Sequence, residues 1–568
     1  MGRGLGALLK GLGLGLLVIL FAPIVALGPA TVVDRGWDGG ARVSAFPPAL
    51  VVLDPLVWRC VRNSSAVALL VTVGALAIGT GLGLLLGRRR FWGRWPLGGL
   101  AMVPLAIGPT WLAPGVIAWL GGDSGWDWLA ARSFLGQPGD EWARWAALVW
   151  VELATGVPLA ILATRRGLAR VDPAWADAAR VVGAGRLRVW LDVSWPTLRP
   201  ELARAAGRTF TLTLIEPAGP LLLGLRRTLA VGLADAALRN EEPNRAATLA
   251  LIAVAICLVA RAACRRWGGS DHAPPSRPPS RPAPPRAGFR LGWLAVLALL
   301  AWAGCTLGPV AGFARRLGDA TLAGRPLDGA TARSVARAWA GPEMQAWAGN
   351  AALAATLAVV IDLLLLAVRP AGLRASAGRW ARPFAAIPPL ALGAGALAIP
   401  SLLAAWAHAT GQPALAATLE TLRAELSPGR SPGVLLILVL AATHLPLVGS
   451  GGRAGGSGSP AAPVDAALLA GASARQAGRL ARGVPGRGLG MTVIAAWTWA
   501  STDLAGAWLL TSLAERRTLA PAALALMSPG GDPPDPRLLG LFVATVAVRL
   551  VGVACLVRAH RSGHLSSP

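Results

Sequence analysis

DAARVVGAGRLRVWLDVSWPTLRP, Asp177 to Pro200, stands between two apolar runs that are long enough to cross lipid. It carries several arginines, a central glycine pair and prolines near its end. Upstream, Asp172 and Pro173 have the form of a helix start, an N-cap acceptor followed by proline at the first helical position. Trp175, Ala178, Ala179 and Val182 then fall on or near one face at helical spacing. Gly183 or Gly185 supplies the left-handed residue that ends a helix. A second short segment, Leu187 to Val193, leads to Pro196 and Pro200, which are expected to break it before the next apolar run. The pattern predicts a short helix, a turn and a second helix lying across a membrane surface. Ala178 and Ala179 leave room there for close approach of a partner.

The flanking composition excludes a soluble protein. The 568 residues are 54% hydrophobic and only 14% charged, where soluble domains carry about 25% charged residues. The net charge of +26 does not indicate a nucleic-acid binder. Nearly all of it is arginine, Lys10 being the single lysine. The arginines fall between apolar runs rather than in a basic stripe with interleaved aromatics. Of the five cysteines, Cys60, Cys257, Cys264, Cys305 and Cys555, only Cys60 is expected outside a span, and no CxxC pair exists. No metal-ligand spacing is present.

Apolar runs place spans near residues 8–30, 65–87, 97–120, 144–164, 203–225 and 246–264, and again near 291–313, 347–368, 384–408, 433–450, 489–511 and 538–557. The first follows Arg3 and Lys10 like a signal peptide, but with no clear small-residue cleavage site after it a first membrane span is expected. Arg88, Arg89, Arg90 and Arg94 follow the second span, and the arginines of the opening segment follow the fourth. These even-numbered exits share a side, which the positive-inside rule makes cytoplasmic. Both termini then lie inside.

The two sets of spans match. PLAIG at Pro104 returns as PLALG at Pro389, Asn63 as Asn350, and Pro158 as Pro446. Asp177-Ala178-Ala179 with Gly183 returns as Asp465-Ala466-Ala467 with Gly471, and Glu216 as Asp503, all at offsets of 285 to 288 residues. An even number of spans per half gives a parallel repeat about an axis along the membrane normal. The expected fold is an all-α polytopic membrane protein of about twelve helices in two parallel six-helix repeats. Its parts are a first half, 1–264, a Pro/Arg-rich cytoplasmic linker, 265–290, and a second half, 291–568.

Asp177-Ala178-Ala179, Gly183, Val193, Trp195 and Pro196 resemble the E-A-A-x3-G-x9-I-x-L-P loop of permease subunits in ABC-type importers. The chain as a whole is similar to the fused, double-length permeases often assigned to ferric iron uptake. That resemblance implies coupling helices that dock on a separate pair of ATPase subunits, a solute-binding protein outside, a bacterial inner-membrane location and transport by alternating access. The second loop departs further: Pro485 comes one residue late, and Ala481 and Gly483 stand where Ile and Leu are expected. Docking on that side would then be unequal. A phosphate-binding G-x-x-x-x-G-K-[ST] loop needs a lysine, and Leu9 rather than glycine precedes Lys10. ATP is therefore expected to be hydrolysed by another subunit, with no cofactor or enzymatic site in this chain.

Glu152, Glu216, Asp362, His444, Asp503 and Arg549 fall within or at the ends of the expected spans, where ionisable groups are costly and face a cavity or a partner. Glu216 and Asp503, being equivalent, are candidates to line or gate the passage; interhelical packing is the competing role. A stand-alone carrier driven by an ion gradient also suits twelve spans in two parallel halves. It has no need of matched coupling segments, however.

Overall fold

A computed structural model of the chain describes residues 19–561 apart from 121–140, 270–287, 323–332, 368–386, 427–431, 452–486, 512–516, 528–534 and a few shorter stretches. The first half contains α1 (Ile19–Ala30), α2 (Pro55–Arg88), α3 (Arg94–Ile107) and α4 (Pro109–Leu120). After these come α5 (Glu141–Arg170), α6 (Pro173–Val181), α7 (Trp195–Leu214), α8 (Ala218–Leu222), α9 (Leu229–Ala234) and α10 (Pro243–Gly268). The second half contains α11 (Phe289–Leu322), α12 (Pro342–Ala367), α13 (Pro389–Thr410), α14 (Pro432–Gly451), α15 (Arg487–Ala500), α16 (Ala505–Leu510), α17 (Leu519–Leu526) and α18 (Arg537–Arg561). Beside this all-helical frame, Val33–Arg35 and Ala41–Val43 form a small antiparallel hairpin against α13.

Seven of these helices, α2, α5, α10, α11, α12, α13 and α18, are each long and apolar enough to cross a bilayer, or eight if the bent pair α3–α4 counts as a span. The twelve runs expected from hydropathy all contain helix, but three are not straight spans. The run at 97–120 bends by 98° between α3 and α4. Gly108 sits at the bend with φ +73°, and Pro109 then lacks the amide that would continue the ladder. The run at 203–225 stops at Leu214; Glu216 precedes Pro217, a position pushed away from helical backbone. The run at 489–511 stops at Ala500. There Thr502 Oγ1 donates to the Thr498 carbonyl at 2.7 Å and Ser501 Oγ donates to the same carbonyl at 3.1 Å, competing for the last turn.

Two other expectations need correction. Cys60 lies inside α2, which begins ten residues before the apolar run because Asp54 caps it, accepting from Leu56 N at 2.8 Å, with Pro55 behind it. The linker is shorter at both ends than 265–290, since α10 runs to Gly268 and α11 starts at Phe289. Residues 270–287 lie outside the described residues.

The repeat is built from matching side-chain bonds. Asn63 Nδ2 donates to the Arg227 carbonyl at 3.1 Å, and Asn350 Nδ2 to the Arg517 carbonyl at 3.3 Å. Arg245 pairs with Asp54 at 3.1 Å, and Arg537 pairs with Glu343. Each arginine thus ties the start of its half's last long helix to the end of α2 or α12 opposite the arginine-rich loops. Arg537 also donates to Asp535, just beyond α18, at 2.7 Å, which holds that carboxyl below the usual carboxylate range. The pentapeptide RRTLA, Arg226–Ala230, recurs at Arg516–Ala520. Thr228 and Thr518 stand in extended backbone before α9 and α17.

The halves interlock rather than abut. α11 packs on α4, where Gly115 lies so close to the Pro309 carbonyl that an added Cβ would stand 3.1 Å from it. Reciprocally, α1 packs on α13 with Gly395 against the Pro23 carbonyl. α10 packs on α13, and α18 on α3. Within the first half, α2 and α5 meet along Gly79, Gly83 and Gly87, a small residue every fourth position that brings the backbones close. A Cβ at Gly79 would lie 2.5 Å from Ala160 Cβ and 2.7 Å from the Val157 carbonyl, whereas one at Gly81 would meet nothing within 4 Å. Gly79→Leu should therefore destabilise the chain by about 1–3 kcal/mol, and Gly81→Leu by no more than about 0.5 kcal/mol. Thermal unfolding of both variants in detergent checks the contrast.

Candidate functional site

The segment around Gly183 has the helix–turn–helix form expected, and the ambiguity over its turn is resolved. α6 ends in a Schellman motif: Ala184 N donates to the Ala179 carbonyl at 2.9 Å and Gly183 N to the Arg180 carbonyl at 2.9 Å. Gly183 takes φ +82° with nothing within 4 Å of an added Cβ, while Gly185 has φ −64° and precedes the next helical turn. The prolines do not break the second segment. Helical backbone runs from Arg186 to Leu214 without interruption, through a π-helical stretch at Trp190–Ser194. The wider π turn, in which Trp195 N reaches the Trp190 carbonyl, precedes Pro196 and absorbs the ring that a regular turn would clash with. Pro196 lies in the first turn of α7, exposed, and Pro200 one turn further on.

One side of this segment is anchored. Arg88 stacks over Trp190 at 4.4 Å from the ring centroid and donates to Ser194 Oγ at 3.1 Å. Trp195 meets Trp267 edge-on at 6.3 Å. Buried Glu201 accepts from Arg170 at 2.5 Å and Arg204 at 2.7 Å, joining α5 to α7 beneath the loop. The other side is bare: Trp175, Val181, Val182 and Leu187 are exposed, Val181 by 87% and Val182 by 83%. Asp177 pairs only within its own helix, with Arg180 at 2.8 Å, and Ala178 beside it is exposed. Ala179 is half-buried. Asp172 lies outside the described residues, as does the whole second loop with Asp465, Ala466, Ala467, Gly471 and Pro485.

A second cluster lies where the halves meet. Glu216 and Asp503 occupy the two helix breaks, not regular helix, so the repeat places them at equivalent interruptions. Arg549 of α18 is buried and within electrostatic reach of both carboxylates. Its Nε donates to Thr502 Oγ1 at 2.8 Å and its Nη2 to the Thr502 carbonyl at 2.6 Å. Nη1 lies against Gly108 at the α3–α4 bend, where a Cβ would collide with it. The glycine of PLAIG, visible in the sequence only as a landmark of the repeat, is thus the socket for a guanidinium from the opposite half. His444 on α14 is also near Arg549, its Nε2 without a hydrogen-bond partner. Glu152 on α5 accepts from Thr213 Oγ1 at 3.3 Å, with Glu216 as its charged neighbour. Asp362 stands apart, fully buried on α12 with neither carboxylate oxygen hydrogen-bonded.

Arg549 therefore offsets two carboxylates, one from each half. Arg549→Leu should cost about 3–5 kcal/mol by leaving buried carboxylates without their counter-charge. Adding Glu216→Gln and Asp503→Asn to that variant should recover part of the loss. The unfolding midpoints of the single and triple variants test this; an Arg549→Leu chain as stable as the natural one would show that no such bridge matters.

Comparison with known proteins follows the same division. Residues 79–265, which span α6, the Gly183 turn, the break at Glu216 and most of α10, match the family described as binding-protein-dependent transport system inner membrane component. The chain is 26% identical over 205 residues to the molybdate/tungstate transport system permease protein WtpB of Thermococcus kodakarensis, covering 36% of this chain and 76% of that one. It is 24% identical over 221 residues to the molybdenum transport system permease protein ModB of Escherichia coli, covering 37% and 92%. With the sulfoquinovosyl glycerol transport system permease protein SmoG of Agrobacterium fabrum it shares 27% identity over 164 residues, 27% of this chain and half the length of that relative. Over its first half the chain is thus similar to inner-membrane permeases of ABC transporters, and residues 79–265 match that family's domain.

Proposed function

We propose that the chain forms the membrane-spanning pathway of an ATP-driven importer, two permease halves that end and begin in helix at Gly268 and Phe289 and are fused through the linker between them. It would accept solute from an extracytoplasmic binding protein and pass it between the halves by alternating access. A separate pair of ATPase subunits on the arginine-rich, cytoplasmic side hydrolyses the ATP, and both termini lie on that side. Asp177, Ala178, Ala179, Gly183 and Pro196 form one coupling segment, and Asp465, Ala466, Ala467, Gly471 and Pro485 the other. Glu216 and Asp503, in their equivalent breaks, flank the passage.

The observation that carries this reading is the two-sided build of the first loop. Its inner side is pinned to the bundle through Arg88, Trp190 and Glu201, and its outer side presents Trp175, Val181, Val182 and Leu187 bare. Large apolar side chains held on a rigid exposed helix suit docking into a partner's cleft. A rigid inner attachment would transmit the partner's movement to α5 and α7. The relatives named above carry molybdate, tungstate or a sulfonated glycerol glycoside, which favours an anionic solute. None of these relatives is named for iron, so the ferric iron expectation has no support from them.

Gly183→Arg tests the coupling role, because it forces a side chain into left-handed backbone at about 1–2 kcal/mol in a place with no neighbours to crush. Tagged chain solubilised from native membranes should co-purify an ATPase, and the Gly183→Arg, Gly471→Arg double variant should lose it while remaining inserted. A well-inserted natural chain that repeatedly brings down no ATPase would end the importer reading and leave gradient-driven transport as the one to pursue.

A further inference from the structure

Beside the break between α7 and α8 lies a small cavity with room for a water or a bare ion rather than a solute. Its polar lining is Ser64, Trp145, Glu152, Thr213, Glu216 and Thr228. Glu152 is 2% exposed, and its Oε1 has no hydrogen-bond partner, while Oε2 accepts from Thr213. Glu216, also on the wall, accepts from Ala218 N at 3.2 Å through Oε1. Ser64 Oγ accepts from Leu229 N at 2.8 Å and so keeps its place on the wall. The last turn of α7 ends here, and its carbonyls, lacking intrahelical partners, add the negative end of a helix dipole. Arg549 offsets Glu216 together with Asp503, but no cation stands among the charged neighbours of Glu152. A carboxylate buried this deeply is costly unless it holds a proton or is offset by a cation.

The corresponding wall of the second half keeps Asp503 for Glu216 and Thr518 for Thr228 but is otherwise apolar. At the repeat offset Glu152 corresponds to Leu440, Thr213 to Ala500 and Ser64 to Ala351, all buried. The polar cavity is thus a property of one half only. It is not something the repeat requires of both.

We propose that this cavity is a binding site for a monovalent alkali cation of sodium size, held by the carboxylates of Glu152 and Glu216 with the Thr213 hydroxyl and the end of α7. Broken helices whose C-terminal ends and freed carbonyls face a small enclosed space are suited to sodium. Magnesium keeps several waters, which a one-water space does not admit, and with Glu216 facing the charge of Arg549 the single net negative charge left suits a monovalent cation. The cation would neutralise Glu152 and clamp α5 to the break, so its presence would set how easily the first half moves. The site does not depend on which solute is imported.

The test uses the full chain purified in detergent, with sodium chloride as probe against N-methylglucamine chloride at equal ionic strength. Radioactive sodium should bind saturably, and sodium should raise the thermal midpoint. Glu152→Gln should weaken sodium binding at least about tenfold, Thr213→Val should weaken it while keeping both carboxylates, and Asp362→Asn, a buried acid elsewhere, should leave it intact. If Glu152→Gln fails to fold, Thr213→Val decides. Absence of sodium binding, equal binding in Glu152→Gln or Thr213→Val, or a midpoint that responds to pH but not to sodium would each overturn the site, the last because the carboxylates then hold a proton. Because binding is measured on this chain without an ATPase, its failure leaves the importer reading standing, and failure of the ATPase pull-down leaves the cation site standing.

Discussion

Interrupted helices inside a bilayer govern this structure. Where α7 and α15 stop, at Leu214 and Ala500, backbone amides and carbonyls lose their intrahelical partners, and neither lipid nor a dry interior replaces them. Such breaks survive only when protein covers them. The interlocked arrangement supplies that cover: α11 lies on α4, α1 on α13, α10 on α13 and α18 on α3. Leu214, Ile215, Ala500 and Ala505, beside the two breaks, are buried in one apolar cluster drawn from both halves.

Once the breaks are enclosed, the charges there become the most consequential residues of the interior. The two carboxylates repeat, but the groups around them do not. Arg549 comes only from the second half and seats in the Gly108 socket of the first. Glu152 belongs only to the first half, its counterpart being Leu440. A fused chain permits this divergence, because each half is encoded separately and need not satisfy itself across an exact twofold axis. The framework bonds, by contrast, stay paired: Asn63 with Asn350, and the Arg245–Asp54 bridge with the Arg537–Glu343 bridge. Structure is kept symmetric and electrostatics are not.

The Gly183 loop shows how surface and interior are joined. A π-helical stretch lets the chain pass Pro196 without ending the helix, so the outer segment and α7 form one continuous body down to the break at Glu216. The helix that begins after the Gly183 turn therefore reaches from the exposed loop to the polar cluster without a break.

Much was legible in the residues alone: the membrane class, the repeat, the helix before Gly183 and the pairing of Glu216 with Asp503. Those features depend on local chemistry and on order along the chain. The RRTLA repeat was legible too, as a five-residue identity, and would have located the matched helix starts after Thr228 and Thr518. What the sequence could not determine were the 98° bend at Gly108, the two interruptions and the continuity through Pro196. A hydropathy window averages over some twenty residues, and apolar side chains flank a broken helix as readily as an intact one. Only the tertiary structure decided that Arg549 meets Gly108 and that Glu152 faces Glu216, because those contacts join residues from different helices, and the depth, rotation and closeness of the helices follow from packing.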